Sequence, residues 1–170
     1  MVCILERDTT TLVTKLNRVN HFRYLIFMGN ANGVIGYGKG KGNDFESALN
    51  DAIRQCKKNL IAIALDHFQS LTLPVISTYN GLELQIFPRD SMNGWGNPIM
   101  GTMLVLAGVT HCRFKIVARN MSQYNLVYAF FKAMTSLRTP KQLCEHFGEK
   151  IYHQSFAPWS YSTHPDRFRP

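Results

Sequence analysis

Residues 29–42 read GNANGVIGYGKGKG, with glycines at 36, 38, 40 and 42 set around Lys39 and Lys41. Glycines let backbone N–H groups approach an anion and lysines neutralise its charge, so the stretch has the composition of a phosphate cradle. Gly33-x-x-x-x-Gly38-Lys39 matches a nucleotide-binding P-loop until its last position, where Gly40 stands in place of the Ser or Thr that holds magnesium. A P-loop also follows a buried parallel strand, whereas here the Asn32-Gly33 turn leads into an edge-like antiparallel strand. The dinucleotide fingerprint fails as well, because Lys41 fills its final glycine position counting from Gly36. Two readings remain. The glycines supply positive φ for a tight hairpin and a strand-to-helix turn, and Lys39 and Lys41, just before a helix N-terminus, face the backbone of a nucleic acid.

No other constellation points to catalysis. Cys3, Cys56, Cys112 and Cys144 are scattered without a C-x-x-C pair, so closely spaced zinc ligands are missing. Cys56 falls in an apolar helical stripe, as a small core residue would, and the cysteine usage fits a reducing compartment. The six histidines are dispersed; His111 begins a strand beside Cys112, and His146 lies near Glu145 and Glu149 without a third ligand. NGWGNP could be a loop at a site, but no nucleophile–base pair accompanies it. An enzyme is not expected, and neither a metal nor a cofactor.

The chain has 170 residues, 45% of them hydrophobic, enough for a real core in one ordinary domain or two small ones. Its 19 Lys+Arg against 11 Asp+Glu leave a net charge of +8, which favours a polyanionic partner, either nucleic acid or an acidic membrane surface. No apolar run reaches the ~18–20 residues of a membrane span. The opening MVCILERDTT has no signal-peptide core and is too short and acidic for a standard transit peptide.

The elements that must carry these residues follow from periodicity. Residues 12–28 suggest two strands around a basic turn near 17–20; in the second, Phe22, Tyr24, Ile26 and Met28 alternate with His21, Arg23, Leu25 and Phe27. VIGYG is a third strand. Asn43 with Glu46 forms a capping-box start to a helix. Its buried stripe is Ala48/Leu49, Ala52/Ile53, Cys56 and Leu60, with Arg54, Lys57 and Lys58 on another face. After a connection at 66–74, a hairpin turns at Asn80-Gly81, with Leu82, Leu84 and Ile86 alternating. PIMGTMLVLAGV is a helix with Pro98 in its first turn and Gly108 at its exit. CRFKIVAR is a strand, QYNLVYAFFKAMTSL a helix, and Thr139-Pro140 opens a short helix through Phe147, stopped by Gly148. The fold class is α+β, divided as 12–70 (β-β-β-α), 71–150 (β-β-α-β-α with a terminal helix) and an extended tail at 151–170.

The run from Val13 to Leu65 resembles the N-terminal domain of the ribosomal protein S-five family of the small subunit. The family's G-[DN]-x-N-G turn, V-G-[FY]-G-x-[GA]-K segment and helix end [KR]-[KR]-N-[LMI]-I stand here at 29–33, 35–41 and 57–61. LAGVTHC (106–112) is similar to A-G-[VI]-x-[ND]-[VC], and NLVYAFFKAMTSLRTPKQL to the family's last long helix and the start that follows. The likeness covers roughly residues 12–150. It implies a unit akin to a double-stranded RNA-binding domain, then an α/β two-layer sandwich. It also implies a structural, rRNA-bound role near the mRNA entrance and decoding region, with ribosomal proteins S-four and S-eight as neighbours and support of translational accuracy through the S-four interface.

On that basis Lys15, Arg18 and Arg23 of the first hairpin and Lys39 and Lys41 of the glycine loop are expected to neutralise rRNA phosphates. Arg54, Lys57 and Lys58 form a second group, and Asn20, Asn30 and Asn32 would bond sugar or phosphate. The chain departs from the family at the hairpin tip, where KLNRVNHF is shorter and lacks glycine. It departs again at 88–97, where NGWGNPIMG replaces a Gly-Thr-Gly-Ile segment that faces S-four in the family. This divergence, with 12% aromatic residues, suits a mitochondrial ribosome, with a plastid or the bacterial cytoplasm as alternatives. In the tail from His153, Trp159, Tyr161 and Phe168 would stack on bases or fill protein pockets. The rivals are a free-standing double-stranded RNA-binding regulator and a small-molecule kinase, though GWGNPIMG lacks the serine pair of a kinase loop.

Overall fold

A computed structural model describes residues 1–65, 69–89, 96–119 and 121–148, apart from the side chains of Pro140 and Lys141. The tail expected at 151–170 and most of the loop at 88–97 lie outside the described residues. Residues 1–137 form one compact unit and 138–170 a second.

The larger unit opens with β1 (Val2–Val13), β2 (Arg18–Gly29), β3 (Val34–Gly42), α1 (Phe45–Lys58) and β4 (Leu60–Ala62), the four strands forming one antiparallel sheet in that order. It continues with β5 (Val75–Tyr79), β6 (Leu82–Pro88), α2 (Pro98–Ala107), β7 (Cys112–Ala118) and α3 (Gln123–Thr135), whose strands make a second antiparallel sheet, β5-β6-β7. The smaller unit contains α4 (Pro140–Phe147), capped by reciprocal bonds between Thr139 and Gln142 at 3.1 and 3.0 Å and closed by Gly148 in the left-handed region at φ 69°.

Several expectations need correction. The first strand begins at Val2 rather than near residue 12, and its turn sits at 14–17, where Thr14 N–H donates to Asn17 O at 2.8 Å. A bulge between Ile4 and Glu6 shifts the phase of β1, so a simple period-two reading of its sequence fails. The N-cap of α1 is Asp44, not Asn43; Ser47 Oγ accepts from Asp44 N–H at 3.3 Å and donates to Asp44 O at 2.9 Å. The helix stops at Lys58, so Leu60 leaves the stripe for β4 and is 47% exposed.

The glycine column has a different cause from the one expected. Of the glycines in residues 29–42 only Gly33 lies at positive φ, 81°, inside the turn that joins β2 to β3. Gly36, Gly38, Gly40 and Gly42 occupy one face of β3, against α1. A Cβ on Gly38 would run into Ala52 O and lie 2.6 Å from Cys56 N, and one on Gly40 would run into Ala48 O. Ala48, Ala52 and Cys56 are fully buried there. Alternate glycines thus let helix and strand backbones meet with almost nothing between them.

On the other face of this sheet, Leu25, Phe27 and Ile35 share a core with Leu82, Leu84 and Ile86 of the second sheet and with the apolar sides of α2 and α3. Phe130 and Phe131 of α3 stand edge-on to Phe27, with ring centroids at 5.9 and 5.8 Å. On its far side α3 is tied to β5 by the buried Ser77 hydroxyl, which donates to Ala129 O at 2.8 Å. The hairpin at Asn80-Gly81 and the helix limits at Pro98 and Gly108 stand as the sequence indicated.

Candidate nucleic-acid interface

The first hairpin is longer than the sheet that carries it. β2 pairs with β3 only from Phe22 onward, so Arg18–His21 and their β1 partners Thr10–Val13 project as a two-stranded ribbon. Lys15, Leu16 and Arg18 are exposed at its tip, Leu16 at 99%. The ribbon is held locally: Thr11 OH donates to Asn20 Oδ1 at 2.7 Å, and Arg18 N–H to Asn17 Oδ1 at 2.7 Å. Asn20 therefore spends its oxygen on the hairpin and leaves its amide outward.

Asn30 has the same fate at the other end of β2. Its Oδ1 accepts from Asn32 N–H at 2.8 Å and Val34 N–H at 3.0 Å, building the turn. That turn is itself seated on the end of α2, because Ala31 and Gly33 donate to Leu106 O and Ala107 O at 2.8 and 2.9 Å. The GNANG segment is thus an internal strut, with the Asn32 side chain on its exposed side.

Arg23 stands opposite Lys41 in the β2–β3 register, with Lys39 two residues along the same face. Strand alternation turns these three away from α1, so Lys39 and Lys41 precede the helix in sequence without pointing at its N-terminus. Arg54, Lys57 and Lys58 are exposed on α1; Arg54 pairs at 2.7 Å with Asp51, which borders the cleft that Arg23, Lys39 and Lys41 line. Lys39 Nζ lies 4.5 Å from the Tyr128 ring centroid and 5.3 Å from that of Tyr124, a cation–π seat on α3. An open cleft of ≈ 410 Å³ is lined here by Arg23, Lys39, Lys41, Asp51 and Tyr124 among others.

Two β1 carboxylates sit on the same face. Asp8 is opposite Arg23 and accepts from Tyr124 OH at 3.4 Å; Glu6, opposite Leu25, has a buried Oε2 without a hydrogen-bond partner among the described residues. Burial, then Asp8, pushes the Glu6 carboxyl up, and burial with both acids pushes the Tyr124 phenol to about 12. The row Arg23–Lys39–Lys41 is therefore partly balanced from within, while Lys15 and Arg18 at the tip make no ion pair among the described residues. Cys56, buried against the glycine column, has its thiol pushed to about 11 by desolvation and is no nucleophile at neutral pH. Among the described residues no cluster of His, Cys, Asp or Glu could hold a metal, and no helix is long and apolar enough to cross a membrane.

Sequence reasoning placed its charged and amide candidates at or before residue 58, and its aromatic ones, Trp159, Tyr161 and Phe168, in the tail outside the described residues. It missed Tyr124 and Tyr128, whose spacing of four on α3 marks one helix face, and the exposed Arg113 and Lys115 of β7, whose period-two spacing marks one sheet face.

Comparison with known proteins supplies the class. Residues 2–64 match the family described as ribosomal protein S5, N-terminal domain, and residues 78–146 match ribosomal protein S5, C-terminal domain. The small ribosomal subunit protein uS5 of Persephonella marina is 33% identical over 144 residues, covering 82% of this chain and 72% of its own. Those of Porphyromonas gingivalis and Synechococcus elongatus are 29% and 32% identical, over 85% and 84% of this chain and 86% and 79% of their own. This chain belongs to the ribosomal protein S5 family, a structural and non-enzymatic family. The kinase alternative falls with that assignment.

Proposed function

We propose that the chain is a structural constituent of the small ribosomal subunit, bound to its rRNA and without catalysis of its own. The carrying observation is that both S5 family domains match in order along one chain, over 2–64 and 78–146. The net charge of +8 and the projecting basic hairpin support an RNA-bound role. Lys15 and Arg18 make the leading phosphate contacts, with Arg23 and Lys41 at the rim behind them. Lys57 and Lys58 on α1 form a separate patch. Asn20 and Asn32 contribute at most their exposed amides, and Lys39 braces the rim against α3.

The finer placement is near the mRNA entrance and decoding region, beside ribosomal proteins S-four and S-eight, in support of translational accuracy. The compartment proposed is the mitochondrion. Its support is the divergence of the chain from the bacterial relatives named above, at 29–33% identity. The division of the chain at 70/71 is likewise proposed; Gln69 and Ser70 already bond to Thr110 and His111 of the second half. Lys15→Ala with Arg18→Ala is expected to lower incorporation into small subunits, and Lys39→Ala with Lys41→Ala to do so less. Full incorporation of both double variants, scored on gradients, would remove this face from the rRNA contact.

A further inference from the structure

The second sheet turns Leu82, Leu84, Ile86 and Cys112 into the core, and the residues between them point the opposite way. On that outer face Phe87 stands opposite Arg113, and Gln85 stands opposite Lys115 with Ile76 on its other side. Arg89 continues the row, because its N–H donates to His111 O at 3.3 Å and carries the β6–β7 ladder one pair further. Arg89, Arg113 and Lys115 are exposed, Phe87 is 38% exposed, and no ion pair engages the three cations among the described residues. Together with Phe114 they line an open cleft of ≈ 510 Å³. Glu83 shares the face further along, where its Oε1 accepts from Gln85 Nε2 at 2.6 Å.

We propose that this face is a second RNA site, one that takes a single-stranded segment with phosphates on Arg89, Arg113 and Lys115 and a base stacked on Phe87. An A-form duplex offers its phosphates and a shallow groove, and gives an exposed phenyl ring nothing to stack on. Unpaired nucleotides supply both the anions and the π faces that a flat sheet with an aromatic between cations is built to meet. An acidic protein surface would satisfy the cations alone. The inference rests on the RNA-bound reading of the chain, but on a surface separate from the hairpin and independent of the ribosome.

The test is an anisotropy titration of the full chain with a labelled uridylate strand of about 12 nucleotides, over a range of salt. Arg113→Gln with Lys115→Gln is expected to weaken binding about tenfold and to flatten the log K against log salt slope by about 1.4, two contacts at ~0.7 each. Phe87→Leu is expected to weaken binding about fivefold with the slope unchanged. Wild-type affinity and slope in the double variant would overturn the proposal, as would absence of strand binding by the wild-type chain. Unchanged strand binding with lost subunit incorporation would also overturn it, assigning the face to a protein neighbour. Any of these leaves the small-subunit reading standing, because incorporation of the wild-type chain is scored separately on gradients.

Discussion

The two sheets of the larger unit solve the burial problem differently. β1–β4 is covered on both faces across its middle, by α1 against the glycine column and by α2 and α3 against Leu25, Phe27 and Ile35. Among the described residues β5–β7 is covered on one face, and its other face keeps Ile76, Phe87 and Val117 exposed among cations. A doubly covered sheet can meet a large partner only with its rim and its projecting hairpin, which is where Lys15, Arg18, Arg23 and Lys41 stand. A singly covered sheet can offer a surface. Exposed basic residues therefore stand in different settings in the two halves, on a projecting hairpin and rim in the first and on an open sheet face in the second.

The joint between the sheets is the place to break this comparison. Phe27→Ala removes the ring that both Phe130 and Phe131 pack against, and is expected to cost about 4 kcal/mol in urea unfolding. A loss below about 1 kcal/mol would mean that the core between the first sheet and α3 is not close-packed. On the opposite face, Gly38→Ala forces a methyl into the α1 backbone and is expected to destabilise by about 3 kcal/mol. The same substitution at Gly101, where a Cβ meets nothing within 4 Å, is expected to be neutral or stabilising. Ser77→Ala removes one buried bond between β5 and α3, for about 1 kcal/mol.

The smallest effect is one of sign. The Glu6 carboxyl has a raised pKa in the folded chain, so the fold binds its proton more tightly than the unfolded chain does. Wild-type stability is penalised once pH rises through the ordinary value of 4.5 and the raised folded value. Glu6→Gln is then expected to stabilise near pH 7 and to give no gain at pH 3. Thermal melts of the pair at both pH values check this, and a loss at neutral pH would contradict the reading of Glu6 as an unpaired carboxylate.

Elements whose local signals were self-contained could be read from the sequence. Asn80-Gly81 fixes its hairpin through positive φ at both residues, 46° and 75°, and Pro98 and Gly108 bracket α2. The family motifs of residues 29–61 were visible as short contiguous runs, although of their glycines only Gly33, at φ 81°, answers to a turn of its own. Features set by distant partners were not visible. The glycine column answers to the backbone of α1, Asn30 to the turn seated on Leu106 and Ala107, and Lys39 to rings some ninety residues away. Strand β1 was hidden by its bulge, and the outer face of β5–β7 exists only once α3 has chosen the other side.

The most direct measurement is sedimentation of a lysate, separated into organelles and cytosol, on a sucrose gradient in high salt, with this chain followed by antibody. The expected result is co-migration with a small ribosomal subunit, and the fraction that holds it, expected to be mitochondrial, decides the compartment. A chain that stays at the top of the gradient as a free 19.4 kDa protein would contradict the ribosomal role and favour a free-standing RNA-binding regulator.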